Sequence, residues 1–134
     1  MAKVPEIGYY PCRENEEVVA PEDAAPYSVM IFDDVSCERQ NNVRMYFTMG
    51  RHNEIDTFLI GQTYSSFPKQ LVRDNANLIV RFEEDDRNLR HAYNDHVNTD
   101  MAYDEFKKAC GKAWNSSKYG FLVVDKDSRL DNGR

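Results

Sequence analysis

No apolar run in this chain approaches the ~20 residues that a membrane span requires, so the sequence predicts no transmembrane helix. Met1 to Pro11 also lacks the apolar stretch of a secretory leader. The expectation is an intracellular protein, nuclear or cytoplasmic, with no membrane partner. Cysteine is scarce: Cys12, Cys37 and Cys110 lie far apart, with no Cys-x-x-Cys pair. That spacing argues for reduced thiols and against a disulfide framework. His52, His91 and His96 lack zinc-ligand spacing, and His91 and His96, five apart, do not share a helical face. Positive charge is in deficit, with a formal net charge of −6. The chain as a whole therefore has no electrostatic footprint for nucleic acid, although a local basic surface stays open. The most consequential absence is Gly-x-x-x-x-Gly-Lys-Ser/Thr, which occurs nowhere. The backbone N–H cradle and lysine that grip nucleotide phosphates have no sequence here.

What is present reads as one folded unit. The chain has 134 residues, 41% hydrophobic and 30% charged, enough for a core of its own. Residues 1–26 carry Pro5, Pro11, Pro21 and Pro26 and the acidic cluster Glu14, Glu16 and Glu17. This reads as an extended acidic segment. From Tyr27 to Arg134 apolar runs alternate with helical spacing. Strands are expected at Tyr27–Val35, Ile55–Gly61, Leu78–Phe82 and Tyr119–Val124. Between the first two, Ser36 can cap a helix whose apolar positions Val43, Tyr46 and Phe47 lead to Gly50. Ser65 to Asn75 reads as a short helix with Pro68 in its first turn. Asp85 or Asp86 caps the next helix, with Leu89, Ala92 and Tyr93 on one face. A further helix follows Thr99-Asp100, with Ala102, Phe106, Cys110 and Trp114 as its stripe. Strands alternating with helices predict an α/β protein with a mainly parallel sheet flanked by helices.

The chain is organised around Val29-Met30-Ile31-Phe32-Asp33-Asp34. Four apolar residues run straight into two carboxylates. A continuous apolar run of this kind reads as a strand buried on both faces, and the carboxyl edge of such strands is where open α/β sheets bind ligands. One reading gives Asp33 to a Mg²⁺ ion and Asp34 to the attacking water. The other makes the pair a strand exit followed by a helix cap.

The series extends to Gly50-Arg51-His52-Asn53-Glu54, to Gln62-Thr63-Tyr64, to Pro68-Lys69-Gln70-Leu71-Val72-Arg73-Asp74-Asn75, and to Tyr119-Gly120-Phe121-Leu122-Val123-Val124-Asp125-Lys126. Together these resemble the DNA-packaging ATPases of large DNA viruses and Polinton (Maverick) transposons, within the FtsK/HerA class of P-loop ATPases. The resemblance covers roughly Tyr27 to Arg134 and implies a partial P-loop ATPase core, from the Walker B strand onward. It implies a ring, usually hexameric, of homologous ATPase subunits that moves double-stranded DNA using ATP and Mg²⁺. By the same resemblance, Asp33 is the Mg²⁺-side acid and Asp34 the catalytic acid. Gln62 is the polar sensor of the neighbouring strand, and Arg51 an arginine finger acting on the adjacent subunit. Against each stands a plainer role: Arg51 as a solvated loop arginine, and Gln62 as a partner for strand-end backbone groups. Lys69 and Arg73 read as a solvated helix face rather than a DNA contact. Phe106 and Trp114 read as core rather than base-stacking side chains.

The departure from that family is the missing Walker A loop and its strand. The chain alone is expected not to hydrolyse ATP. By the family's strand order the missing strand lies between Ile55–Gly61 and Leu78–Phe82, so its loss leaves two unpaired edges. Either the sheet closes over that gap, the N-terminal segment fills it, or another chain does. Three functions follow: the C-terminal half of a packaging motor, an interaction module that binds an intact homologue, or a DNA-binding protein with no nucleotide role.

Overall fold

In the computed structural model of the chain, residues 8–34, 41–67, 70 and 74–128 are described. Strand β1 (Ser28–Asp33), helix α1 (Asn41–Met49) and strand β2 (Ile55–Ile60) come first. Strand β3 (Leu78–Arg81), helices α2 (Asp86–His96) and α3 (Tyr103–Trp114) and strand β4 (Leu122–Asp125) follow. The mixed alternation of strands and helices matches the sequence reading. Ser36 and Cys37 lie outside the described residues, as do Lys69, Arg73 and most of the helix expected after Pro68.

β1 and β2 pair in parallel, in register from Ser28 opposite Ile55 to Asp33 opposite Ile60. Alternation along each strand sends Phe32 and Ile55 to one face, where they meet Val43 and Tyr46 from α1. Val43 and Tyr46 are three apart, so they share the inward side of the helix. The Phe32 and Tyr46 rings meet edge to face at 5.6 Å. Burial of such side chains contributes about 1.5–3 kcal/mol each. The Tyr46 hydroxyl donates to the Val19 carbonyl at 3.0 Å, and Val18 and Ala24 pack on the same cluster. Val18, Val19 and Ala24 of the N-terminal segment thus lie against the α1 cluster, and the described part of that segment contains no strand.

β3 and β4 pair antiparallel, from Leu78 opposite Asp125 to Arg81 opposite Leu122. Under them α2 and α3 supply Leu89, Ala92, Phe106 and Cys110, which bury Ile79 and Val124. Asp85 caps α2 by accepting from the Asn88 N–H at 2.9 Å. The Trp114 indole N–H donates to the Arg81 carbonyl at 3.0 Å. This fixes the end of α3 at the end of β3. Gly120 carries the chain from α3 into β4, where a Cβ would run into the Ala113 and Trp114 backbone.

The single mainly parallel sheet expected from the sequence is instead two separate ladders, β1–β2 and β3–β4. Only the first is parallel. The second reverses because two helices stand between β3 and β4. The chain descends along one and returns along the other, so β4 starts at the edge where β3 ends. Each ladder is covered on one face only, so β1 is not the strand buried on both faces that its apolar run predicts. Val29, Ile31, Phe58 and Ile60 on the first stay between 52% and 58% exposed. Leu78, Val80, Phe82, Phe121 and Val123 on the second stay between 41% and 59% exposed.

Candidate functional site

The parallel register brings the ends of β1 and β2 to one edge, and with them the carboxylates and the glutamine. Asp33 sits opposite Ile60. The Asp34 N–H donates to the Ile60 carbonyl at 3.1 Å, which anchors the second carboxylate to the end of β2. Asp34 has φ 50, a left-handed conformation that costs most residues about 1 kcal/mol and that Asp tolerates through its short polar side chain. From this kinked position Asp34 Oδ2 accepts from Gln62 Nε2 at 3.2 Å. Asp33, Asp34 and Gln62 are all exposed. The edge is open to solvent and holds two carboxylates and an amide within one side chain's reach.

Arg51 stands elsewhere. It lies in the 3-10 turn Gly50–Asn53 that leads into β2, at the strand's opposite end from Gln62. The six residues of β2 alone separate the two by about 20 Å. Its guanidinium donates to Asn77 Oδ1, and Asn77 Nδ2 in turn donates to Asp127. Of the four residues singled out from the sequence, the fold gathers Asp33, Asp34 and Gln62 and leaves Arg51 apart.

Next to the gathered edge is a cluster the sequence reading passed over. Tyr64, two residues past Gln62, is buried and belongs to the core beneath β3 rather than the one beneath β2. Its hydroxyl is 2.7 Å from His96 Nε2 and 3.0 Å from Asp95 Oδ2. The Arg81 guanidinium lies over its ring, 4.8 Å from the centroid. Arg81 is only 3% exposed, pairs with Glu84, and keeps one Nε–H without an acceptor. Burial raises the Glu84 pKa, against the pull of Arg81. The available signal was the alternation of β3: Ile79 and Arg81 share the inward phase, so a charge was bound for the interior.

Among the described residues no group of three or more His, Cys, Asp or Glu gathers as a metal site. The Asp33–Asp34 pair offers carboxylate oxygens alone. That donor set suits Mg²⁺ where water and substrate phosphates complete the shell. No Gly-rich cradle for those phosphates exists in the chain. The residues therefore fit half of a Mg²⁺-nucleotide site. Comparison with protein-family models, with curated proteins and with solved structures gives no match.

Proposed function

We propose that this chain is the C-terminal half of a P-loop motor ATPase of the DNA-packaging kind, and that it performs no step on ATP by itself. The supporting observation is the β1–β2 pair: two parallel strands in register carry Asp33-Asp34 and Gln62 to one edge, with Asp34 and Gln62 hydrogen-bonded at 3.2 Å. Phosphoryl transfer is accelerated mainly by positioning and by cancelling developing charge. In a completed site Asp33 would contribute to the Mg²⁺ shell, Asp34 would polarise the attacking water, and Gln62 would hold Asp34 and orient that water. Arg51, at the far end of β2, would serve only a neighbouring subunit of a ring, and there it would have to leave Asn77. Double-stranded DNA would be met by the assembled ring, since a chain of net charge −6 has little of its own to offer phosphates.

Phosphate release measured on the purified chain with Mg²⁺ and ATP should stay at background. Mixed with intact packaging-ATPase subunits, the chain should enter their rings, and wild type and Asp34→Asn should change ring turnover to different extents. Turnover by the chain alone that Asp34→Asn abolishes would overturn the inactivity. Mixed rings with equal turnover for both chains would overturn the role given to this edge. A second reading, an interaction module that binds an intact homologue and stalls it, draws on the uncovered ladder faces. Binding with no dependence on Asp34 is its signature.

A further inference from the structure

The start of the parallel ladder, the end away from Asp34 and Gln62, holds a cavity of about 350 Å³. Glu22, Ala24 and Pro26 line it from the segment before β1, and His52, Asn53 and Glu54 from the turn before β2. The two sides are tied where the strands begin, because the Tyr27 N–H donates to the Glu54 carbonyl at 2.9 Å. The Glu54 side chain also hydrogen-bonds the Tyr27 hydroxyl, which raises the Tyr27 pKa and holds that carboxylate in place. The lining thus carries two carboxylates, and among the described residues no Lys or Arg pairs with either. Arg51, next to His52 in the chain, donates to Asn77 instead.

We propose that this cavity binds a guanidinium group, carried by a small guanidino compound or by an arginine side chain. A concave wall with uncompensated negative charge concentrates cations. A bare metal ion does not suit it. Glu22, His52 and Glu54 line one cavity, yet among the described residues no three His, Cys, Asp or Glu close on a metal. The acceptors are spread for a larger cation. Guanidinium presents five N–H donors in a planar fork, and a carboxylate takes two of them side by side. The Asn53 side-chain oxygen adds a neutral acceptor. The faces of a guanidinium are weakly hydrated and stack on flat groups, which the Pro26 and His52 rings supply. A primary ammonium is compact and strongly hydrated, and in an open cavity it keeps its water. The volume falls at the small end of sites that hold small molecules. The inference uses the far end of the ladder only and stands without the ATPase reading.

The test is an amide NMR titration of the full 134-residue chain, without nucleotide, using ethylguanidine, N-acetylarginine methylamide and propylamine as probes. Ethylguanidine should shift the amides of Glu22, Ala24 and His52 to Glu54 saturably. Both carboxylates are exposed, so half-saturation should fall at about 1 mM. Glu22→Gln and Glu54→Gln should each weaken binding about threefold or more. His52→Lys, which puts a cation into the cavity, should abolish it. Glu14→Gln, in the acidic cluster outside the cavity, should leave it unchanged. The changed side chains are all exposed, and circular dichroism should show each variant folded like the parent. The capped arginine binding as tightly as ethylguanidine supports the proposal and makes a partner's arginine the source. Binding of ethylguanidine alone supports it and makes a free compound the source. Three results would each overturn the proposal: shifts that fail to saturate or spread over every acidic segment, propylamine binding as tightly as ethylguanidine, or no weakening by either glutamine substitution.

Discussion

Asp34 and Arg81 show how much a single residue's surroundings decide. Asp34 holds φ 50, so the backbone there favours Gly and penalises branching. Asp34→Gly should leave chemical-denaturation stability unchanged within about 0.5 kcal/mol, and Asp34→Val should lower it by about 1–2 kcal/mol. Arg81 sits under Tyr64 with Glu84 as its counter-charge. Removing one partner of a buried pair strands the other. Glu84→Ala, which strands a guanidinium only 3% exposed, should therefore cost about 2 kcal/mol, and Arg81→Met less, because Glu84 can reach water. The Glu84 pKa is raised in the fold. Its contribution is present below the unfolded pKa and is lost as pH rises through the folded one, a trend that Glu84→Gln should erase from a stability–pH curve. The thiols separate as sharply. Cys110 is fully buried, and burial pushes its pKa up to about 11, whereas Cys12 is exposed. A thiol reagent at neutral pH, read by peptide mapping, should modify Cys12 quickly and Cys110 only after unfolding.

Elements were more legible than their pairing. The strands centred on Ile31, Phe58, Val80 and Val123 could be placed because each holds three or four consecutive apolar residues. The last begins at Leu122, later than Tyr119, because Gly120 first turns the chain off α3. The α2 cap was readable as Asp85 or Asp86, and Asp85 takes it. Asp85→Ala should lower the denaturation midpoint by the equivalent of about 1 kcal/mol. The reversal of β4 was implicit in the two helices before it, and the sheet divides between β2 and β3, where the sequence reading had left two unpaired edges. At the candidate site, Asp33, Asp34 and Gln62 were readable as polar residues ending apolar runs. Tyr64 and its partners were not, because the contact joins residues 31 or 32 positions apart.

The whole molecule is two small cores joined through the segment after β2. Among the described residues, the carboxylates whose pKa is lowered lie in the second. Hydrogen bonds lower the Asp85 pKa through the Asn88 backbone, the Asp86 pKa through Lys107, and the Asp125 pKa through Ser128. Groups with depressed folded pKa values stabilise above the unfolded value and lose that contribution as pH falls through the folded one. Acid titration followed by circular dichroism should accordingly show stability dropping below the ordinary carboxylate value of 3.8. Replacing Lys107 with Met should flatten part of that drop. No described helix is long and apolar enough to cross a membrane.

Tyr64 is anchored in one core while its chain neighbours end a strand of the other. A tug on Gln62 is therefore a tug on the ring that clamps Arg81, with only Thr63 between as slack. Whatever seizes the carboxylate edge also takes hold of the remote half, much as a rope tied at both banks moves both boats.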